Sequence, residues 1–134
     1  MSGALAGRIC LVAGASRGVG RGVARALGEA GATVIVTARS SEAGARTDQR
    51  RETIEDTARL VDEAGGKGTH YVCDHANERE VDQLASWALR RFGRVDALVS
   101  AVWSGNEGYD GDRYPDGSSW GTPLWRRPPA LLGA

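Results

Sequence analysis

The 134-residue sequence has few cysteines and few histidines, and this excludes two classes of small protein. Its two cysteines, Cys10 and Cys73, are too few for the disulfide framework of a small secreted domain. Both lie in apolar, strand-like segments, so we interpret them as reduced core residues. The two histidines and two cysteines are scattered and lack metal-ligand spacing, so no metal site is expected.

The sequence also lacks an excess of charge and a long apolar run. Seventeen basic residues balance seventeen acidic ones, which leaves no sequence-wide field to attract nucleic acid or an anionic membrane. No apolar run is long enough to span a bilayer, and residues 1–7 lack the basic and apolar parts of a signal peptide. We therefore expect a cytoplasmic protein with no nucleic-acid partner and no membrane partner.

What the sequence does contain is an alternation of strand and helix patterns. Apolar runs of strand length occur at residues 8–13, 33–38, 69–73 and 96–101. Helical periodicity is found at 19–30, at 53–64 and between Asn77 and Gly93, where Asn77 and Glu80 are spaced as a capping box. The apolar face predicted for the last helix consists of Val81, Leu84, Ala85, Ala88, Leu89 and Phe92. This order predicts an α/β fold, half of a Rossmann-like doubly wound parallel sheet.

The remaining segments show no periodicity. Residues 40–52 are polar and are predicted to form a long loop that contains Arg46, Arg50 and Arg51. After residue 101 the composition changes to Gly, Pro, Asp, Ser and Trp, so we expect a half-domain at 1–101 and an irregular tail at 102–134. Prolines 128 and 129 are suited to a helix start. The tail aromatics either line a substrate cleft or pack against further structure; they are Trp103, Tyr109, Tyr114, Trp120 and Trp125.

A glycine-rich turn between the first strand and the first helix is the main functional motif. It runs from Gly14 through Ser16, Arg17, Gly18 and Val19 to Gly20. Glycines allow a tight turn and a close backbone approach to a ligand, and the N–H groups at a helix start favour a bound phosphate. The alternative is a tight connection without a ligand. The placement in a strand-turn-helix-strand unit favours phosphate binding.

In its spacing, G-x-x-x-G-x-G, this turn resembles the cofactor turn of the short-chain dehydrogenase/reductase family. Asp74, after the third strand, matches the family's acidic residue that contacts the adenine ring, and His75 beside it is interpreted as lining that pocket or as solvated. Ser100 lies in the segment that matches the family's fourth-strand motif. The resemblance implies an oxidoreductase that transfers a hydride between nicotinamide and a carbonyl or alcohol substrate, and it allows a homo-oligomer.

Two departures from the family pattern concern the cofactor. The family usually has Thr where Ala13 precedes the turn, and it usually has Asn-Asn-Ala-Gly where this chain has Ser-Ala-Val-Trp at 100–103. These changes remove polar groups near the nicotinamide end of the cofactor. The sequence therefore predicts cofactor binding less strongly at the fourth strand than at the glycine turn.

The end of the second strand predicts NADP rather than NAD. NAD binders place a carboxylate there for the ribose 2′-hydroxyl, whereas this strand is followed by Arg39, which suits a 2′-phosphate. Arg17 matches a second basic residue of NADP-preferring members of the family. The alternative is that both are solvated surface arginines.

The family's catalytic pair, a tyrosine and a lysine four residues later, is absent from the 134 residues. The only lysine is Lys67, and no tyrosine precedes it by four positions. We therefore expect no catalytic residue in this chain and interpret it as a truncated form that binds NADP(H). Two alternatives stay open: a non-catalytic module that binds the cofactor or another subunit, and a nonfunctional fragment.

Overall fold

The computed structural model describes residues 3–44, 46, 51–103, 113, 117–119 and 121–126. The chain divides into two compact units, Met1–Val102 and Trp103–Ala134. The first unit contains, in order, β1 (Ile9–Ala13), α1 (Gly18–Glu29), β2 (Thr33–Ala38), α2 (Ile54–Glu63), β3 (Lys67–Val72), α3 (Glu78–Phe92) and β4 (Ala97–Ser100). In the second unit, the described residues include one short 3-10 helix, Leu124–Arg126. The segment around Pro128 lies outside the described residues.

The four strands form one parallel sheet in the order β3-β2-β1-β4. Val12 of β1 is in register with Val36 of β2 and with Val99 of β4. A parallel sheet requires a crossover between successive strands, and the helices supply these crossovers. The predicted α/β architecture is therefore confirmed.

The sheet is covered on both faces, so its central strands are apolar on both sides. On one face, Val12, Val34 and Val36 pack with Ala24 of α1 and Val61 of α2. On the other face, Leu11, Ala13 and Ile35 pack with Leu84 and Ala88 of α3. This explains why β1 and β2 appear as continuous apolar runs rather than as alternating patterns. Both cysteines are free and buried, as predicted.

The predicted apolar face of α3 is partly wrong. Ala85 is exposed and Leu89 is 54% exposed, while Trp87 takes part in the packing. The Trp87 ring lies 4.7 Å from the ring of Tyr71 on β3 and 5.9 Å from that of Phe92, measured between centroids. The Trp87 ring buries more apolar area than Ala85 would. The face of α3 that packs on the sheet is therefore turned, relative to the predicted face, so that Trp87 contacts β3.

The capping prediction also needs a correction. The Asn77 side chain does cap α3, by accepting from the N–H of Arg79 at 3.1 Å. Glu80 does not return a bond to the Asn77 N–H, which donates to the carbonyl of Asp74 instead. The Glu80 carboxylate accepts from the N–H of Asp74 at 2.6 Å. The reciprocal capping box is at the start of α2, where Thr53 and Asp56 exchange bonds.

The bounds of β2 are as predicted, whereas those of β1, β3, β4, α1 and α2 differ from the predicted ones by one or two residues at one or both ends. Strand β3 starts at Lys67, two residues earlier than predicted, because its first residue pairs with Thr33 of β2. Helix α1 ends before Gly31 and α3 ends before Gly93, as predicted, and both glycines have positive φ.

Asp96, just before β4, joins that strand to the start of β1. One carboxylate oxygen accepts from the N–H of Ile9 at 2.8 Å and from Nε of Arg94 at 3.1 Å. The other oxygen lies 3.4 Å from Nη1 of Arg8. The Ile9 hydrogen bond and the two arginines lower the pKa of the Asp96 carboxyl. The ionised carboxylate is therefore the form that stabilises the fold.

We expect Asp96→Asn to lower the thermal unfolding midpoint at pH 7. Because the folded pKa is below the ordinary value of 3.8, this stabilisation is fully present above 3.8 and is lost as the pH falls through the folded pKa. The difference between wild type and variant should therefore shrink in acid. Asp82→Asn, on an exposed part of α3, is the control and should leave the midpoint unchanged. Equal midpoints for wild type and Asp96→Asn at pH 7 would contradict the assignment.

Candidate functional site

The glycine turn closes tightly at the carboxyl end of β1. Gly14 has φ +73, and a Cβ on it would lie 2.6 Å from the carbonyl oxygen of Ala101, just after β4. A Cβ on Gly20 would lie 2.2 Å from the carbonyl oxygen of Gly14. Neither position has room for a side chain, so glycine is required at both. The turn therefore packs against itself and against the end of β4.

The turn is anchored to β2 by a single carbonyl group. The oxygen of Thr37 accepts from the N–H of Gly14 at 2.8 Å and from the N–H of Ala15 at 3.2 Å. Ser16 is buried, and its carbonyl lies within hydrogen-bond distance of Arg21 Nη1 and of the Thr57 hydroxyl. The turn is thus attached to α1, α2 and β2 through its backbone.

Helix α1 begins differently from α2 and α3. Its N-cap residue, Arg17, makes no capping hydrogen bond from its side chain, and its first turn has no acidic residue. Both other helices have a capping side chain and two acidic residues in the first turn. A Cβ on Gly18 would meet nothing within 4 Å, and Val19 is 77% exposed. The start of α1 is therefore open, and its N–H groups and positive dipole end are suited to an anion.

Arg39 directly follows β2, at the same edge of the sheet as the turn, and is half-buried. The first carboxylate after β2 is Glu42, three residues later. Glu42 is ion-paired with Arg59 of α2, with Nη1 and Oε1 3.0 Å apart, and its N–H donates to Glu55. Among the loop arginines, Arg46 and Arg51 are exposed and Arg50 lies outside the described residues.

Asp74 and His75 follow β3 at this edge and are half-buried. One oxygen of Asp74 accepts from the N–H of Ala76 at 3.0 Å, which fixes the turn into α3. Nε2 of His75 lies 3.3 Å from the hydroxyl oxygen of Thr37. Burial lowers the pKa of the His75 imidazole, against the opposing charges of Asp74 and Glu80. The lowered pKa favours the neutral form of the ring at pH 7.

Ser100 ends β4 and is exposed, in register with Ala13. The N–H of Ala101 donates to the carbonyl of Ala13 at 2.9 Å, so the end of β4 lies beside the glycine turn. The predicted site residues thus follow or end the four strands at one edge of the sheet, where ligands bind in open α/β sheets. Sequence reasoning missed Thr37, which contacts two of these groups, since nothing distinguishes it from any strand threonine.

Two other kinds of functional feature, a metal site and a membrane-spanning helix, are not found in the part of the chain that the structure describes. Its His, Cys, Asp and Glu side chains form no group of three that would hold a metal ion. None of its helices combines the length and the apolar character needed to cross a bilayer. In the second unit, Trp125 is 82% exposed. Tyr109, Tyr114 and Trp120 lie outside the described residues.

Known proteins resemble this chain over the same region. The family model for short chain dehydrogenases matches residues 8–106. Mouse Dehydrogenase/reductase SDR family member 1 is 39% identical over 100 residues, covering 74% of this chain and 29% of that protein. The chain thus spans less than a third of the length of this curated relative.

Solved structures resemble the fold as well. A metagenomic short-chain oxidoreductase in complex with NADP has a TM-score of 0.63 at 31% identity, covering 94% of this chain and 47% of that one. An NADH-dependent reductase complexed with NAD has a TM-score of 0.60 at 26% identity, covering 75% of this chain and 38% of that one.

Two glycines of α1 make a matched pair for testing the turn. Gly20→Ala places a methyl group against the Gly14 carbonyl, and we expect it to destabilise the fold by about 2 kcal/mol. A Cβ on Gly22 meets nothing within 4 Å, so Gly22→Ala should stabilise the helix by about 0.8 kcal/mol and raise the thermal midpoint by roughly 4 °C. Thermal unfolding of both variants checks this, and a Gly20→Ala protein as stable as wild type would show that the turn does not close as described.

Proposed function

Because the chain belongs to the short-chain dehydrogenase family, we propose that it binds NADP(H) at the carboxyl edge of the sheet, as the cofactor-binding part of an oxidoreductase. The observation that carries the proposal is the glycine turn, which closes tightly and leaves the start of α1 without a capping side chain. The N–H groups there would bind the pyrophosphate, and Gly18 leaves space for its close approach. Ser16 and Val19 belong to the same turn and are included among the proposed cofactor-binding residues.

The choice of NADP over NAD is supported by the charges after β2. Solved relatives include one complexed with NADP and one complexed with NAD, so kinship alone does not distinguish the two cofactors. In this chain Arg39 occupies the position of the NAD-type carboxylate, and Arg17 lies in the turn. Glu42, the next carboxylate, is paired with Arg59 and is not at the strand end. A guanidinium at this position would bind a 2′-phosphate with two hydrogen bonds.

The adenine ring would lie at the end of β3. In the proposed arrangement Asp74 contacts the ring and His75 lines its pocket, while Ser100 is near the path toward the nicotinamide. Both residues after β3 are half-buried, and the neutral His75 imidazole adds no charge against the base. In this arrangement the cofactor would lie along the edge of the sheet, with its adenine at β3 and its nicotinamide at β4.

When bound, the cofactor supplies hydride transfer to or from a carbonyl or alcohol carbon. The residues of this chain would bind and orient it, and the 134 residues contain no Tyr-x-x-x-Lys pair that would donate the proton in this family. The only lysine, Lys67, is the first residue of β3 and is exposed. It therefore lies at the amino edge of the parallel sheet, opposite the site. We expect cofactor binding without turnover by these 134 residues.

Cofactor preference can be tested with Arg39→Asp. We expect wild type to bind NADPH more tightly than NADH, and the variant to lose about 10- to 100-fold of its NADPH affinity, because it loses a charge-assisted hydrogen bond and gains a repelling carboxylate. NADH affinity should be kept, since the new carboxylate can accept from the ribose 2′-hydroxyl. Cofactor fluorescence and the ligand-induced rise in thermal midpoint measure both affinities.

The control is Arg90→Asp, the same change in the last turn of α3. It should leave the NADPH affinity unchanged. If folded wild-type protein bound neither NADPH nor NADH, the proposed function would be wrong for this chain. If Arg39→Asp kept the NADPH preference, only the assignment of the 2′-phosphate site would be wrong.

A non-catalytic cofactor-binding module is the second candidate, and it is favoured by the absence of a Tyr-x-x-x-Lys pair. Both candidates predict binding by this chain. They differ when a polypeptide carrying the remainder of the family's sheet is added. Restored oxidation of NADPH with a carbonyl substrate supports the oxidoreductase, whereas binding with no turnover in any mixture supports the module.

A further inference from the structure

Three segments of the candidate site meet at Thr37, the fifth residue of β2. Its carbonyl accepts from the N–H groups of Gly14 and Ala15 in the glycine turn. Its hydroxyl lies 3.3 Å from Nε2 of His75, in the segment after β3. Burial raises the pKa of the nearby Cys73 thiol, and the Thr37 side chain opposes that rise. The Thr37 side chain is fully buried.

We propose that Thr37 and His75 are positioning residues for the adenosine half of the cofactor, acting as one unit through their side-chain hydrogen bond. The inference rests on the proposed function, because it concerns the same cofactor. It adds a residue, Thr37, that makes no contact with the cofactor and acts through its neighbours. It also gives His75 a role other than lining the pocket.

The geometry explains why a side-chain bond is needed here. The ladder between β2 and β3 ends where the N–H of Cys73 donates to the carbonyl of Ala38 at 3.0 Å. Beyond it the backbone turns into α3, and the N–H of Asp74 is bonded to Glu80 of that helix. The ring of His75 then reaches back to β2. This bond sets the distance between the residue that contacts adenine and the strand that anchors the phosphate turn.

The ionisation state of His75 is consistent with this role. The ring is half-buried, and the charged groups that face it are Asp74 beside it and Glu80 of α3, while Thr37 and Cys73 are neutral. A neutral imidazole carries one N–H and one lone pair, and the threonine hydroxyl both donates and accepts, so the pair is compatible with either tautomer. If packing alone held the His75 ring, the Thr37 hydroxyl would not be needed to position it.

The test compares binding of adenosine 2′,5′-bisphosphate and of inorganic pyrophosphate by calorimetry. Thr37→Val removes the hydroxyl but keeps the shape and the backbone carbonyl, and His75→Phe keeps a ring without nitrogens. Thr37→Ser restores the hydroxyl. Thr33→Val is the matched control, because Thr33 begins the same strand at the opposite edge of the sheet. His75→Phe remains informative if Thr37→Val fails to fold, since His75 is only half-buried.

Thr37→Val and His75→Phe should each weaken binding of the bisphosphate about fivefold, the equivalent of one hydrogen bond. The double variant should be no weaker than either single one, because both changes remove the same bond. Pyrophosphate binding should not change, since the Thr37 carbonyl and the glycine turn are kept. Thr37→Ser and Thr33→Val should bind the bisphosphate as wild type does.

The outcomes separate this inference from the proposed function. If folded wild type bound neither probe, the proposed function itself would be wrong. If wild type bound the bisphosphate and both single variants bound it equally well, or if the two losses were additive, the positioning role would be overturned. The chain has two histidines, so NMR gives an independent check. Thr37→Val should shift the imidazole resonances of His75 and leave those of the exposed His70 in place.

Discussion

The candidate site depends on one backbone carbonyl, the oxygen of Thr37, which accepts from two successive N–H groups of the glycine turn. The bond requires that Ala13 and Thr37 be in register, so that the turn leaves β1 where β2 ends. A slip of β2 by one residue would move Val34 and Val36 from the face that packs against α1 and α2 to the face that packs against α3, so the different packing of the two faces fixes the register. Packing of the sheet thereby determines the shape of the turn.

The parts of the fold that the sequence predicted are those governed by one strong local preference. The bounds of β2 were predicted to the residue because a β-branched run lies between a glycine turn and a polar segment. The ends of α1 and α3 followed from Gly31 and Gly93, which reach positive φ without strain. The glycine turn was recognised from its G-x-x-x-G-x-G spacing between a strand and a helix, and the close contacts at Gly14 and Gly20 explain why glycine is needed there.

What the sequence did not predict depends on contacts between one helix or strand and the segments outside it. The rotation of α3 was misjudged because Leu89 and Trp87 are both apolar, and only the position of Tyr71 on β3 decides which of them packs. The Glu80 carboxylate accepts from the N–H of Asp74 and not from that of Asn77, because the turn before α3 brings the Asp74 N–H close to it. Thr37 was missed for the same reason: its partners are His75 and the glycine turn, far away in sequence.

The site also depends on β4, which lies at one end of the described sheet. The backbone after β4 limits the space at Gly14, while Ala101 and Ala13 share a hydrogen bond. Leu98 of β4 is 69% exposed, and β4 has less apolar burial than β1 or β2 in these 134 residues. Because Gly14 packs against the backbone at Ala101, loosening of β4 would widen the turn and weaken the proposed phosphate binding. Any interaction that orders β4 should therefore tighten the proposed phosphate site without contacting it.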